Sequence, residues 1–270
     1  MEYNTLISGA LRYGATEKEL CAQTLGVPPD EICPRVILAP WWEPDLFPTL
    51  GRAIPRTSPS AEIKIWRLET DCGEMTYIKT GIGAPVLMDT VLSLGLTACE
   101  RAVMIGSVGA LDRAFKIGDL VVPQVSLCGD GASRYLSDSP LRENDSFAAQ
   151  AVPDPGENGH LEQIVEQISQ KYGVSWHKGR IFSIDTIFAQ FAHLEELLEL
   201  GCNGVEMETA AAFRAAKLAG IPMTALLSVS DNTLNRKSLI CGRTESDELH
   251  RRRVRREIIP EILLEYMRRG

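Results

Sequence analysis

The sequence lacks several features that mark specialised classes of protein. It contains no run of the ~18 apolar residues that a membrane span needs, so no membrane partner is expected. Its 7 cysteines are scattered without a Cys-x-x-Cys pair and it has only 4 histidines, which argues against a disulfide framework and against a metal site. Residues 1–4 carry no basic segment ahead of an apolar stretch, so no secretory signal is expected. These absences predict a cytoplasmic protein with reduced thiols and no bound metal.

The charge balance also limits the class of partner. The 270-residue chain has a formal net charge of −8 at pH 7, which argues against a protein that works on nucleic acid. One basic run interrupts this pattern, Arg251-Arg252-Arg253-Val254-Arg255-Arg256. It lies in residues 244–269, which are predicted to form a helix with acidic residues early and arginines late. Such a run is most often a solvated helix face or a subunit contact, and we expect one of these rather than a nucleic-acid site.

Strand and helix patterns alternate along most of the chain. Residues 1–33 are predicted to form an N-terminal helical extension, because leucines recur at helical spacing up to Gly26-Val27-Pro28-Pro29. In residues 34–270, short apolar strands alternate with helix-like stretches. This alternation predicts a single α/β domain with a mixed, mostly parallel central sheet flanked by helices on both faces. Residues 128–159 are rich in Gly, Ser, Asp and Pro, and are predicted to be a long irregular excursion.

Polar clusters appear where several of the predicted strands end. They are Gly106-Ser107-Val108-Gly109-Ala110 after residues 101–105, Asp185-Thr186 after residues 181–184, and Ser230-Asp231-Asn232 after residues 223–229. A further cluster, Val205-Glu206-Met207-Glu208-Thr209, opens a predicted helix over residues 206–219. Because the carboxyl ends of parallel strands face one crevice, these clusters predict one site assembled from distant segments. That arrangement is typical of a small-molecule enzyme.

Three carboxylates are the main candidates for chemistry. Glu206 and Glu208 stand at the predicted start of a helix, where one of them could simply cap it. With Met207 between them they also suit a sugar, because a carboxylate accepts hydrogen bonds from two vicinal hydroxyls and a thioether covers the apolar face of the ring. Asp231 follows an apolar strand, where desolvation would raise its pKa and favour proton donation. Capping of the next turn, together with Asn232, is the alternative for Asp231.

Two glycine-containing segments could present backbone N–H groups to an anion. They are Gly81-Ile82-Gly83 and Gly106-Ser107-Val108-Gly109, both predicted to be turns beside strands. Neither has the spacing of a Walker motif or of Gly-x-Gly-x-x-Gly. Ser107 could add its hydroxyl to an anion or to a sugar oxygen.

In order and spacing, these segments resemble the nucleoside phosphorylase and nucleosidase superfamily. This group contains hexameric purine nucleoside phosphorylase, uridine phosphorylase and methylthioadenosine nucleosidase. The resemblance spans residues 36–266 and rests on five segments, which are Gly81-Ile82-Gly83-Ala84-Pro85, Gly106-Ser107-Val108-Gly109-Ala110 with Gly118-Asp119-Leu120-Val121-Val122, Ser183-Ile184-Asp185-Thr186, Val205-Glu206-Met207-Glu208-Thr209-Ala210-Ala211, and Ser230-Asp231.

The resemblance implies a role for individual polar residues. Glu208 would bind the ribose 2′- and 3′-hydroxyls, Met207 would lie against the sugar, and Glu206 would lie beside the base. Asp231 matches the acid that protonates a purine at N7 as the glycosidic bond breaks. Ser107 would contact the nucleophile or the sugar.

The resemblance also implies further substrate-binding positions. Gly83 and Gly106 belong to the two glycine-containing segments. Phe182 and Phe188 lie in the stretch whose aromatic side chains flank the base, with Ile187 in place of one expected ring.

Two positions depart from the phosphorylase pattern. Met104 stands where the phosphorylases have an arginine, and Trp41-Trp42-Glu43-Pro44-Asp45 replaces their first Gly-Asp-Pro-x-x-Arg loop. Other cations would therefore have to hold a phosphate, and charge alone nominates Arg52, Arg56, Lys79 and Arg243. Glu43 falls close to the position of the glutamate that activates water in the nucleosidases, and an exposed turn acid is the alternative.

The predicted function is cleavage of the N-glycosidic bond of a purine-type nucleoside, by phosphorolysis to free base and sugar 1-phosphate. Hydrolysis by water that Glu43 activates, and nucleoside binding without catalysis, are the alternatives. No cofactor is expected, and inorganic phosphate would be the co-substrate. The resemblance further implies purine salvage and a homo-oligomer, either a dimer or a trimer of dimers.

Overall fold

The computed structural model describes residues 1–137, 143 and 146–268. Its helices are α1 Tyr3–Leu11, α2 Glu17–Leu25, α3 Ala84–Leu94, α4 Pro155–Tyr172, α5 Ile187–Ala192, α6 Leu194–Glu199, α7 Thr209–Ala219, α8 Glu245–Arg253 and α9 Ile259–Arg268. Its strands are β1 Arg35–Ala39, β2 Arg52–Pro55, β3 Lys64–Thr70, β4 Gly73–Lys79, β5 Arg101–Ala110, β6 Leu120–Gly129, β7 Gln150–Ala151, β8 Trp176–Ile184, β9 Gly204–Glu206 and β10 Met223–Asn232.

The strands form one mixed sheet in the order β10-β6-β8-β9-β5-β1-β4-β3-β2, with β7 beside β6. The central strands β4, β1, β5 and β10 run parallel to their neighbours in that group, and so do β6, β8 and β9. Because β10 also pairs with β5, the strands β5, β10, β6, β8 and β9 close into a ring. The ring places the carboxyl ends of β5 and β10 side by side.

Alternate side chains of the central strands pack into two apolar layers. In β1, Val36 and Leu38 join the layer formed with α2, α3 and α7, whereas Ile37 and Ala39 join the layer formed with α4 and α9. Successive side chains of a strand point to opposite faces, so one short apolar strand contributes to both layers. The α/β fold with helices on both faces of the sheet is therefore confirmed.

The N-terminal segment packs against the first of these layers. Cys21 and Leu25 of α2 are fully buried there with residues of α3. A capping box of Thr16 and Glu19 begins α2, and Gly26 ends it in a left-handed conformation at φ 74°. The division of the chain at residue 33 stays a prediction.

Two strands are longer than predicted. β5 continues from residue 105 to Ala110, and β10 continues to Asn232. The polar clusters Gly106–Ala110 and Ser230–Asn232 are therefore strand residues, because each pairs with the other strand as far as Ala110 opposite Asn232. The prediction of a turn at Gly106 was wrong, since a glycine inside a paired strand has the same local sequence as a glycine in a turn.

Three other boundaries also differ from the prediction. The helix predicted over residues 206–219 begins at Thr209, because Glu206 ends strand β9. The predicted excursion at residues 128–159 contains β7 and the start of α4, whose N-cap is Asp154, while residues 138–142, 144 and 145 lie outside the described residues. The helix predicted over 244–269 consists of α8, a π-helical turn at Val254–Ile258, and α9, with residue 269 outside the described residues.

Among the helices in the described part of the chain, none has both the length and the apolar character needed to cross a membrane.

Candidate active site

The polar strand ends line a cavity of about 280 Å³ at one edge of the central sheet. It brings together six of the site residues predicted from the sequence, which are Gly106, Ser107, Glu206, Met207, Glu208 and Asp231. Its size is near the lower end of the ~300–1,000 Å³ typical of small-molecule sites. The expectation that these distant segments meet agrees with this geometry.

Four larger surface clefts lie elsewhere on the described part of the chain. Two of them, of about 380 and 600 Å³, lie beside α7 and are both lined by Val152, Phe213 and Lys217. The other two have volumes of about 320 and 440 Å³ and share Pro48 in their lining. None of the four receives the polar ends of β5, β9 and β10. We take the strand-end cavity as the candidate active site because polar groups from several elements converge there.

Asp231 reaches the cavity from the carboxyl end of β10. Its side chain is buried, with Oδ1 accepting a hydrogen bond of 2.6 Å from Ser230 Oγ. Oδ2 is buried without a partner among the described residues. Burial raises the pKa of Asp231, and it outweighs the Ser230 hydrogen bond and the nearby arginines Arg243 and Arg251, which lower it. The absence of a side chain at Gly109 leaves room beside this carboxyl, since a Cβ there would lie 3.3 Å from Oδ2.

Glu206 is held entirely by protein groups. Oε1 accepts hydrogen bonds from Ser183 Oγ at 2.5 Å and Thr209 Oγ1 at 2.8 Å. Oε2 accepts from the backbone N–H groups of Glu208 and Thr209, both at 2.8 Å. These four bonds use the acceptor sites of one carboxylate, so Glu206 caps the N-terminus of α7. This is the capping role that the sequence left open for one of the two acids. Glu206 also lines the cavity, and its place beside the base stays a prediction.

Glu208 is the second acid of this segment and forms part of the cavity wall. It is 6 % exposed, and its Oε1 accepts a hydrogen bond of 2.7 Å from the backbone N–H of Gly83. Burial and the neighbouring charge of Glu206 raise the pKa of Glu208 to about 8. Gly83 does not line the cavity directly, and its N–H is committed to Glu208 instead of being presented to an anion.

Besides Gly83, three predicted site residues lie outside the cavity lining. Glu43 accepts hydrogen bonds from Lys79 Nζ at 2.6 Å and Lys64 Nζ at 3.1 Å, and these lysines lower its pKa. Phe182 is buried in a small apolar cluster, where its ring lies edge-on to Phe147. Phe188 is 86 % exposed on α5. The neighbouring residue, Ile187, does line the cavity.

The cations nominated by charge also lie outside the lining. Each of Arg52, Arg56, Lys79 and Arg243 forms an ion pair, with Glu69, Glu31, Glu43 and Glu248 respectively. Met104, at the position of the family's arginine, is buried in the apolar layer with α3 and α7.

Sequence reasoning missed a cation that does line the cavity. Arg251 of α8 reaches Ser107, with Nη2 donating to Oγ at 3.4 Å. Its side chain is 18 % exposed, although the basic run was predicted to be a solvated face or a subunit contact. The apolar residues Val254 and Ile258 carried the missed signal, because they mark the buried stripe of this helix and Arg251 falls on it three and seven residues earlier.

Other lining residues also had no clear signal in the sequence. Trp41, 67 % exposed, lines the cavity together with Ile82, Gln190 and Leu239. Among residues 1–137, 143 and 146–268, no group of three His, Cys, Asp or Glu side chains is placed to hold a metal ion.

Comparison with known proteins gives concordant results. A family model described as the phosphorylase superfamily matches residues 42–257. The guanosine phosphorylase of Halorubrum lacusprofundi is 27 % identical over 191 residues, which cover 70 % of this chain and 73 % of that relative. A DeoD-type purine nucleoside phosphorylase of Listeria welshimeri is 25 % identical over 160 residues, 59 % of this chain and 64 % of that relative, so the alignment spans slightly less than two thirds of its length.

A solved structure shares the fold. The uridine phosphorylase of Vibrio fischeri superposes with a TM-score of 0.69 at 21 % identity, covering 88 % of this chain and 94 % of that one.

Proposed function

We propose that this chain, which belongs to the phosphorylase superfamily, cleaves the N-glycosidic bond of a purine-type nucleoside by phosphorolysis, giving free base and sugar 1-phosphate. The observation that carries the proposal is the pairing of two buried acids in one cavity. Asp231 has an unpartnered oxygen, and Glu208 lies in the wall of the same cavity.

The chemistry of the bond requires groups of this kind. As the C1′–N bond breaks, positive charge develops on the sugar and negative charge on the departing base. An acid at the base and negative charge near the sugar therefore stabilise the transition state. The raised pKa of Asp231 keeps its carboxyl protonated over a wider pH range than an exposed aspartate, which suits proton donation to the base.

Glu208 is proposed to bind the sugar. Its carboxyl can hydrogen-bond two vicinal hydroxyls, as two acceptors when ionised or as one donor and one acceptor when protonated, and Met207 beside it offers an apolar surface to the ring. Glu206 would contribute indirectly, because its four hydrogen bonds fix the backbone of Glu208 and the start of α7.

A purine is favoured as the base for two reasons. A proton donor at the base suits a purine, which can accept the proton at N7 while it departs. The two relatives at 27 % and 25 % identity are a guanosine phosphorylase and a purine nucleoside phosphorylase. The uridine phosphorylase supports the shared fold only.

Hydrolysis through Glu43 is less well supported than phosphorolysis. Its carboxylate is bonded to two lysines that lower its pKa, which makes it a weak base for activating water. It also lies outside the lining of the cavity. A cytoplasmic role in purine salvage and a homo-oligomer, either a dimer or a trimer of dimers, stay predictions.

The proposal is tested by substituting Asp231→Asn and following base release from a panel of purine and pyrimidine nucleosides in phosphate buffer. Loss of the acid should reduce kcat by about 10² to 10⁴-fold, the usual contribution of general acid catalysis. Asp185→Asn is the matched control, because Asp185 also follows a strand but lies outside the cavity and bonds the backbone N–H of Gly131. Full activity of the Asp231→Asn variant on every substrate would exclude the general-acid role.

A further inference from the structure

Arg251 lies in the cavity with incomplete hydrogen bonding. Its Nη2 makes one long bond of 3.4 Å to Ser107 Oγ, and its Nε is buried without a hydrogen-bond partner among the described residues. A guanidinium has five N–H donors in a rigid planar group. Burying one of these donors without an acceptor costs free energy, because the donor loses its hydrogen bond to water. A ligand that supplied an acceptor would remove this penalty.

The charge of Arg251 is also incompletely neutralised. Glu248 Oε2 lies 3.8 Å from Nη1, but Glu248 is 42 % exposed and also pairs with Arg243 at 3.1 Å. Asp231 is neutral when it carries the proton that the proposed reaction needs. Arg255, one helical turn away, repels Arg251. One half-exposed carboxylate therefore faces several guanidinium groups, an arrangement that favours an anion.

The partners of Arg251 suit one particular anion. A phosphate dianion is tetrahedral, accepts several hydrogen bonds, and is matched by the planar fork of an arginine. Ser107 adds a hydroxyl donor at the same place, on the strand that also borders Asp231.

We infer that Arg251, with Ser107, binds the phosphate co-substrate in this cavity. The inference rests on the proposed phosphorolysis. It assigns the phosphate to a cation on α8, whereas the four cations nominated from the sequence all lie outside the cavity lining.

The step that follows from this placement is balanced. An oxygen of the phosphate forms a bond to C1′ while the C1′–N bond breaks, and the electron pair of that bond goes to the base. The proton of Asp231 passes to the base, and solvent later restores it. Arg251 transfers no proton, and its charge holds the dianion against the cationic sugar.

The test compares Arg251→Gln and Arg251→Lys with Arg252→Gln as the control, because Arg252 belongs to the same basic run but is exposed. We expect the KM for phosphate to rise about 10- to 100-fold in Arg251→Gln, as when a charged hydrogen-bond partner is lost. The KM for phosphate should rise less in Arg251→Lys, because lysine keeps the positive charge but lacks the planar guanidinium group. The KM of the Arg252→Gln control should equal that of the parent protein. Nucleoside binding in the absence of phosphate should be unchanged in all variants, which a merely structural role would not predict.

An unchanged KM for phosphate in Arg251→Gln would overturn the inference and leave the proposed phosphorolysis intact. A selective loss of cleavage of nucleoside 5′-monophosphates would also overturn it, because Arg251 would then bind the substrate's own phosphate. If the parent protein releases base without phosphate, phosphorolysis itself is refuted. In that case, calorimetric titration with inorganic phosphate tests the anion site independently of catalysis. Loss of phosphate binding in Arg251→Gln supports the site, and binding that persists in this variant refutes it.

Discussion

Replacing Glu208 by glutamine should stabilise the protein at alkaline pH and leave its stability at acid pH nearly unchanged. Glu208 is 6 % exposed and lies beside the buried Glu206, and its pKa is raised from 4.5 to about 8. Between these two pH values the folded protein holds a proton that the unfolded chain has lost. Stability therefore falls as the pH rises through this window. Glutamine does not titrate, so the variant keeps its stability as the pH rises.

The size of this stability loss follows from the pKa shift of Glu208. Each pKa unit corresponds to about 1.4 kcal/mol of free energy. A change from 4.5 to about 8 therefore represents a loss of roughly 2–5 kcal/mol, complete above pH 8, when relaxation of the site is allowed for. Glutamine has nearly the same shape and its Oε1 can still accept the hydrogen bond from Gly83, so other contributions should be small.

The assay is urea unfolding at pH 5 and at pH 9. The free energy of unfolding of Glu208→Gln minus that of the parent protein should be near zero at pH 5 and strongly positive at pH 9. Glu195→Gln on α6 is the control, because Glu195 is exposed and its substitution should give the same small difference at both pH values. A Glu208→Gln difference that does not change between pH 5 and pH 9 would refute the argument that burial beside Glu206 raises this pKa.

Two further substitutions test the roles of Glu206 and Glu43, for which the sequence left alternatives open. Glu206→Gln should lower the free energy of unfolding by about 1–3 kcal/mol, because an amide has one acceptor oxygen where the carboxylate uses two to accept four hydrogen bonds; thermal unfolding measures this, and an unchanged melting temperature would argue against the capping role. Glu43→Gln should change the rate of base release in phosphate buffer less than about twofold, since such surface ion pairs are worth little and Glu43 lies outside the cavity; a large loss of rate would restore the hydrolytic mechanism.

The sequence could predict which strand ends meet. Local apolar patterns identify the strands, and the carboxyl ends of parallel strands lie at the same side of a sheet. The apolar runs before Ser107 and Asp231 were visible as strands, and the ring of β5 and β10 does bring these residues to one cavity. The strand lengths were not predictable in the same way. Whether Gly106 continues a strand depends on pairing with Leu227, more than one hundred residues away, and not on its neighbours in the chain.

Side-chain roles depended on contacts that no local pattern contains. Glu206 and Glu208 look equivalent in the sequence, but only Glu206 meets Ser183, because β9 lies beside β8. Arg251 looked like one more surface arginine in a basic run. Its place in the cavity depends on a tertiary contact, because α8 lies against β10 and the side chain of Arg251 reaches Ser107 on the neighbouring strand β5.

Phosphorolysis is best tested by chromatography of the products formed from a purine nucleoside, with and without inorganic phosphate. A phosphorylase gives free base and sugar 1-phosphate in equal amounts when phosphate is present, and neither when it is absent. Free base and free sugar at the same rate in both conditions would contradict phosphorolysis, and no base from any nucleoside would contradict catalysis altogether.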